Sequence, residues 1–196
     1  MHRKSSVSML IVAFLTVLGC GTTPEEILKS PPKLGGTFPD VTLRMPAKTA
    51  IASYLGLPKA TNTFDLSEVN ADLLIIELSD LYCLYCHDAP PQARQMQKLI
   101  ARHGLSARVP LIGISLGDSE YEASVFEEKF DVPFPVFPDP DKAVHRSLGR
   151  VGRPSFYAVM PKKNLNIVGV QSGLFENDAA IDTFIERSLR KSGLLD

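Results

Sequence analysis

The chain has 196 residues, 44% of them hydrophobic and 22% charged, with 21 Lys and Arg against 22 Asp and Glu. That composition describes one ordinary globular domain rather than a disordered chain. A formal net charge of −1 lacks the basic excess that nucleic-acid binding needs. No run of about 18 apolar residues writes a spanning helix, and three cysteines are too few to staple a mini-protein.

The chain opens on Met1-His2-Arg3-Lys4, followed by an apolar run over residues 7–18 broken only by Ser8 and Thr16. A basic head before a short apolar stretch is the make-up of an export signal. The run ends in Val17-Leu18-Gly19-Cys20, which resembles the lipobox of bacterial lipoproteins. That resemblance implies cleavage after Gly19 and a diacylglycerol on the Cys20 thiol, leaving Cys83 and Cys86 as a lone pair. Gly at position 21, rather than Asp, leans toward the outer membrane of a two-membrane cell. Loss of residues 1–19 removes Arg3 and Lys4 and leaves a formal charge of −3. Residues 20–36 contain Pro24, Pro31, Pro32, Gly35 and Gly36 and read as a flexible tether. The folded domain is expected over residues 37–196.

Within that domain, residues 38–43 and 50–55 are expected as extra strands ahead of the core. Residues 73–78, Leu-Leu-Ile-Ile-Glu-Leu, form the nearly continuous apolar run of a buried central strand. Ala89, Ala93, Met96, Leu99 and Ile100 recur at helical spacing over residues 87–103. Residues 109–116 predict another buried strand, and residues 119–130 a helix that closes before Pro133. Residues 132–141 hold four prolines and read as an extended connection, with a short helix after it at 141–148. Residues 155–160 and 165–170 predict a hairpin across Lys162-Lys163-Asn164. Ile181, Phe184, Ile185 and Leu189 mark the apolar face of a C-terminal helix. Strands alternating with helices and closing on a hairpin give an α/β sandwich.

The chemistry is expected in Ser79-Asp80-Leu81-Tyr82-Cys83-Leu84-Tyr85-Cys86-His87. A Cys-x-x-Cys between a buried strand and a helix places the first sulfur at a helix N-terminus. Unpaired N–H groups and a partial positive charge there stabilise a thiolate. The thiolate is the nucleophile of disulfide exchange, and two intervening residues let the second sulfur resolve a mixed disulfide. Glu77 is the one charge in the run 73–78, six residues before Cys83. A carboxyl in an apolar strand has a raised pKa and suits a proton shuttle. An outward-facing glutamate is the plain alternative. His87 is a further thiolate-stabilising candidate, or simply a solvated residue of the first helical turn.

These residues resemble a thioredoxin-like protein of the TlpA/ResA redoxin type over roughly residues 37–196. The resemblance rests on Cys83-Leu84-Tyr85-Cys86 after the strand, on Tyr82 where that family usually has Trp, and on Pro91 where it has a helix-kinking proline. It rests also on Val151-Gly152-Arg153-Pro154-Ser155-Phe156, which is similar to the family's Gly-x-Pro-Thr segment, with Phe134 and Asp139-Pro140-Asp141 fitting the insertion ahead of it. It implies a thioredoxin-like α/β fold, a central mixed β-sheet flanked by helices, with an N-terminal β extension. It further implies Cys83 as nucleophile, Cys86 as resolving thiol, Glu77 as manager of the Cys86 proton, and a cis Pro154 shaping a client groove beside Tyr82; Arg153, next to that proline, is a candidate for docking a partner or simply a surface arginine. Leu84-Tyr85 departs from the commoner Gly-Pro or Pro-Pro, which leaves the direction of electron flow open.

The expected protein is therefore an exported, lipid-anchored thiol–disulfide oxidoreductase. Its expected partners are protein clients and a redox partner, with the membrane engaged through the Cys20 lipid. No nucleic acid and no cofactor beyond the redox-active disulfide are expected, and the chain is expected to be a monomer. Two rival readings use the same residues. Cys83-x-x-Cys86-His87 also matches a c-type haem attachment pattern, with Met96 or Met160 as the sixth ligand. Alternatively Cys83, Cys86 and one of His87, His103 or His145 bind Cu(I). A peroxiredoxin site is disfavoured, because Ile76 and Asp80 stand where Pro-x-x-x-Thr-x-x-Cys needs Pro and Thr.

Overall fold

The computed structural model describes residues 29–46, 49–59 and 61–196. The expected signal segment, Cys20 and the first part of the expected tether lie outside the described residues. In chain order the elements are β1 (Thr42–Arg44), α1 (Thr49–Tyr54), β2 (Thr63–Asp65), β3 (Leu74–Ser79), α2 (Ala89–Arg102), β4 (Leu111–Leu116) and α3 (Glu120–Lys129). Then follow β5 (Val136–Asp139), α4 (Ala143–Leu148), β6 (Ser155–Met160), β7 (Asn166–Ser172) and α5 (Asp178–Ser192). Five strands form one sheet in the order β5-β4-β3-β6-β7. The pairs β3/β4 and β4/β5 are parallel, whereas β3/β6 and β6/β7 are antiparallel. This is the expected central mixed sheet, and its middle strand is the apolar run that ends beside the cysteines.

The alternation of side chains along each strand divides the core into two layers. Leu74, Ile76 and Leu78 point to one face, with Ile112, Ile114, Phe137 and Tyr157. The β1/β2 ribbon, α1 and α4 cover it through Leu43, Phe64, Ile51 and Leu148. Leu73 and Ile75 point to the other face, where Ala93, Met96 and Ile100 of α2, Phe126 of α3 and Ile181 and Ile185 of α5 pack. Two devices fix the helices on this second layer. Ser119 and Glu122 exchange hydrogen bonds at the start of α3, a reciprocal cap of 3.3 and 2.8 Å. Gly169 of β7 lets α5 approach, since a Cβ there would meet Ser188 Oγ at 2.5 Å and Phe184 at 2.9 Å.

Three expectations need correction. Residues 50–54 are helical, not extended, and Leu55 begins the turn that follows. Ile51, Ala52 and Leu55 are buried while Ser53 is exposed, the i, i+1, i+4 spacing of one helix face; the second strand of the extension is Thr63–Asp65. Of residues 38–43, only Thr42 and Leu43 fall in β1, which pairs with β2 at Leu43↔Phe64, although Phe38 is fully buried. The proline-rich stretch 132–141 contains a true strand, because β5 lies at the sheet edge, where Pro138 opposite Ser115 leaves no central ladder position empty.

The chain ahead of residue 37 also runs along the domain. The Arg150 N–H donates to the Lys29 carbonyl at 3.1 Å, the Tyr157 hydroxyl to that of Pro32 at 3.3 Å, and the Gly35 N–H to that of Ile167 at 2.8 Å. Gly149, at φ +72°, leaves room for this strand of chain; a Cβ there would overlap the Lys29 carbonyl.

Candidate functional site

The strand β3 delivers the chain to the cysteines, and a tight turn reverses it into α2. Cys83 has extended backbone and caps a 3-10 turn, Leu84–Asp88, which continues into α2 at Ala89. Pro90 and Pro91 fall in the first turn of α2, where a missing N–H costs nothing; Pro91 marks the boundary between turn and helix rather than a kink in mid-helix. Cys83 and Cys86 form a disulfide with their Cα atoms 5.2 Å apart. Cys86 is fully buried, whereas Cys83 is half-buried and flanked by exposed Tyr82, Leu84 and Tyr85. The two sulfurs are therefore unequal in access, with the N-terminal one at the surface and at the helix start.

The segment ahead of β6 forms the opposite wall. The Arg153–Pro154 peptide bond is cis, Pro154 is buried, and the Arg153 carbonyl oxygen lies 3.5 Å from Cys83 Sγ. The expected groove elements thus meet at the disulfide. Arg153 does so through its backbone, because its guanidinium turns back to pair with Asp80.

Glu77 lies on the sheet face that α2 covers, two residues from Ile75 and between Gly113 of β4 and Phe156 of β6. Its exposure is 2%, and neither carboxylate oxygen has a hydrogen-bond partner. Burial pushes its carboxyl up to about 8 because the charged form has lost its water and gained no bond. Glu77 is thus an inward residue of the same layer as Cys86, not an outward-facing one. Ser79, next along the same face, is also buried with its hydroxyl unbonded.

His87 is half-buried rather than free. Its ring stacks on Phe130 at 4.1 Å between centroids, and Nε2 lies 2.9 Å from the Leu81 carbonyl oxygen. Met96 and Met160 are core residues. Among the described residues no three His, Cys, Asp or Glu side chains are grouped to hold a metal ion.

The sequence reading missed a set of carboxylates behind the cysteine turn. Asp118 is buried and accepts the Leu81 N–H at 2.7 Å and the Ser115 hydroxyl at 2.6 Å. Burial raises its carboxyl above the ordinary range, partly offset by those two bonds. Glu122 accepts the Tyr82 hydroxyl at 2.6 Å as well as the N–H and hydroxyl of Ser119; these bonds hold its carboxyl down at about 2. Tyr82 is thereby pinned against the start of α3. Asp80 accepts the Tyr82 N–H at 2.8 Å with one oxygen and pairs with Arg153 through the other.

Solved structures share this architecture. A putative thiol:disulfide interchange protein DsbE from Chlorobium tepidum is 17% identical, with 82% of this chain and 98% of that one covered at a TM-score of 0.59. A putative protein disulfide isomerase from Bacteroides thetaiotaomicron is 18% identical, covering 83% and 95% at 0.60. Peroxidoxin BcpB from Mycobacterium tuberculosis is 18% identical, covering 81% and 97% at 0.57. These likenesses show the thioredoxin-like fold. No curated protein matches the chain. The model of the AhpC/TSA family matches residues 34–171, a span that runs from the chain's entry into the domain to β7 and holds both cysteines, Glu77 and Pro154; the chain belongs to the AhpC/TSA family.

Proposed function

We propose that the protein is an exported, lipid-anchored thiol–disulfide oxidoreductase that exchanges disulfides with protein clients through Cys83 and Cys86. The observation that carries this reading is the inequality of the pair: a half-exposed sulfur at a helix start, bonded to a fully buried one in the layer of a buried carboxyl. In the reducing direction the Cys83 thiolate attacks a client disulfide. A mixed disulfide forms and one client sulfur leaves as a thiolate. Cys86, giving its proton to the ionised form of Glu77, then attacks Cys83 Sγ, closing the Cys83–Cys86 disulfide and releasing the second client thiolate. Two electrons pass to the client, and the reverse sequence oxidises it. Pro154 and the Arg153 carbonyl form one wall of the client groove, with Tyr82 at the rim opposite. The anchor is the lipid on Cys20, which places the domain at a membrane surface outside the cytoplasm.

The test is a redox titration of the purified protein against glutathione, with an absorption spectrum. A reversible two-electron couple without a haem Soret band is expected. Cys83→Ser should abolish exchange, whereas Cys86→Ser should accumulate mixed disulfides. Equal, full activity in both variants overturns the roles. For the anchor, wild-type protein should carry lipid at Cys20 and Cys20→Ala should not; mature protein with an unmodified Cys20 overturns that part.

A further inference from the structure

One carboxylate ties together the two loops that meet at the disulfide. Asp80 is only 6% exposed. Its carbonyl accepts the Cys83 N–H at 3.3 Å, one side-chain oxygen accepts the Tyr82 N–H at 2.8 Å, and the other pairs with the Arg153 guanidinium. Arg153 in turn holds its own carbonyl 3.5 Å from Cys83 Sγ. A negative charge this close to the turn opposes formation of a thiolate at Cys83, and the attached guanidinium opposes that effect. At a partly desolvated site neither contribution is screened as on an open surface.

The surrounding charges do not take over the work of Arg153. Asp118, from the loop before α3, and Glu122, from α3 itself, are both acidic. Glu77 of β3 is buried beneath α2 and its carboxyl is without a hydrogen-bond partner. His87, on the cysteine turn itself, faces Phe130 and the Leu81 carbonyl. His145 of α4, which senses Arg153, Asp139, Lys142 and Asp80, is held below its ordinary value by burial first and by Arg153 second, so it is neutral at pH 7.

Resting on the thiol–disulfide reading above, we propose that Asp80 and Arg153 are opposed positioning residues: the carboxylate holds the backbone of the cysteine turn, the guanidinium cancels its charge, and the balance of the two sets the reactivity of Cys83. Neither residue touches the exchanging sulfurs with its side chain; both act through the turn and the field at Cys83.

The experiment measures alkylation of Cys83 by iodoacetamide in the reduced full-length protein as a function of pH, with the Cys83 peptide quantified by mass spectrometry. Arg153→Gln should move the midpoint upward by about half a pH unit, a roughly threefold loss of rate below it. Asp80→Asn, which keeps an acceptor for the Tyr82 N–H, should move it downward by a similar amount. The double variant should return close to wild type, and Arg153→Lys should rescue Arg153→Gln. A role in folding alone shifts both single variants in the same direction; that result, or no shift in either, overturns the proposal. If Asp80→Asn does not fold by circular dichroism, the contrast between Arg153→Gln and Arg153→Lys decides by itself. Loss of the reversible couple in the wild-type protein would sink the thiol–disulfide reading, whereas an intact couple with unmoved midpoints sinks only the role of the ion pair.

Discussion

Replacing Glu77 by Gln tests the buried carboxyl through stability, without a client. In the folded protein the group is held at about 8, against 4.5 for an unperturbed glutamate. Below about pH 4.5 it is protonated in both the folded and the unfolded chain and adds no pH dependence. As pH rises past that point the unfolded chain releases its proton and the folded one retains it. The unfolded state is thereby favoured, and stability falls by about 1.4 kcal/mol per pH unit until about pH 8. Over the whole window the loss amounts to about 5 kcal/mol, comparable to the entire stability of a marginal domain. Urea unfolding of the oxidised wild-type protein and of Glu77→Gln at pH 5, 6, 7 and 8 gives the difference directly, because every other titrating group is common to both. The variant should gain on wild type by about 3.5 kcal/mol between pH 5 and 8. Parallel pH profiles for the two proteins would show that the carboxyl ionises normally in the fold, and the proton-shuttle assignment would fall with it. In pre-steady-state exchange the same substitution should slow decay of the mixed disulfide and leave its formation intact.

Three further outcomes are expected from the contacts described. Met96→Ala removes a fully buried side chain of α2 and should cost about 2–5 kcal/mol in urea denaturation. Ser119→Ala deletes the acceptor for the Glu122 N–H at the start of α3 and should cost about 1 kcal/mol by the same measurement. Tyr82→Phe removes the first of the bonds that hold the Glu122 carboxyl near 2; that carboxyl should rise toward the ordinary range in an NMR titration.

The part of the site that lies within ten residues of Cys83 was legible in the sequence. A lone Glu in an apolar strand and two cysteines at the strand's end each follow from local chemistry, whereas Pro91 entered through the family resemblance as a helix kink and lies instead in the first turn of the helix. Pro154 was legible only through the Val-Gly-Arg-Pro segment. Asp118 and Glu122 were not, because they reach Leu81 and Tyr82 across 37 and 40 residues, and nothing in an acid at a loop or helix start says which turn it will support. Asp80 and Arg153 were both in view, but their pairing depends on β3 and β6 lying side by side. Among the elements, β5 was concealed by Pro138, a residue that argues against a central strand but not against an edge. Helix α1 was concealed by its brevity, since six residues hold too few apolar positions to separate a period of 3.6 from one of 2.

The bond between Lys29 and Arg150 sets how far the reactive edge can stray from whatever holds the front of the chain. Lys29 lies nine residues on from Cys20, and fully extended those nine steps span at most about 32 Å. Arg150 is in turn three residues from Arg153, whose carbonyl touches the disulfide sulfur, a further stretch of at most about 11 Å. A lipid at Cys20 would therefore tether the protein by its working side. On that reading the disulfide would be confined to a shell of membrane-proximal space whose depth is set by those two lengths of chain.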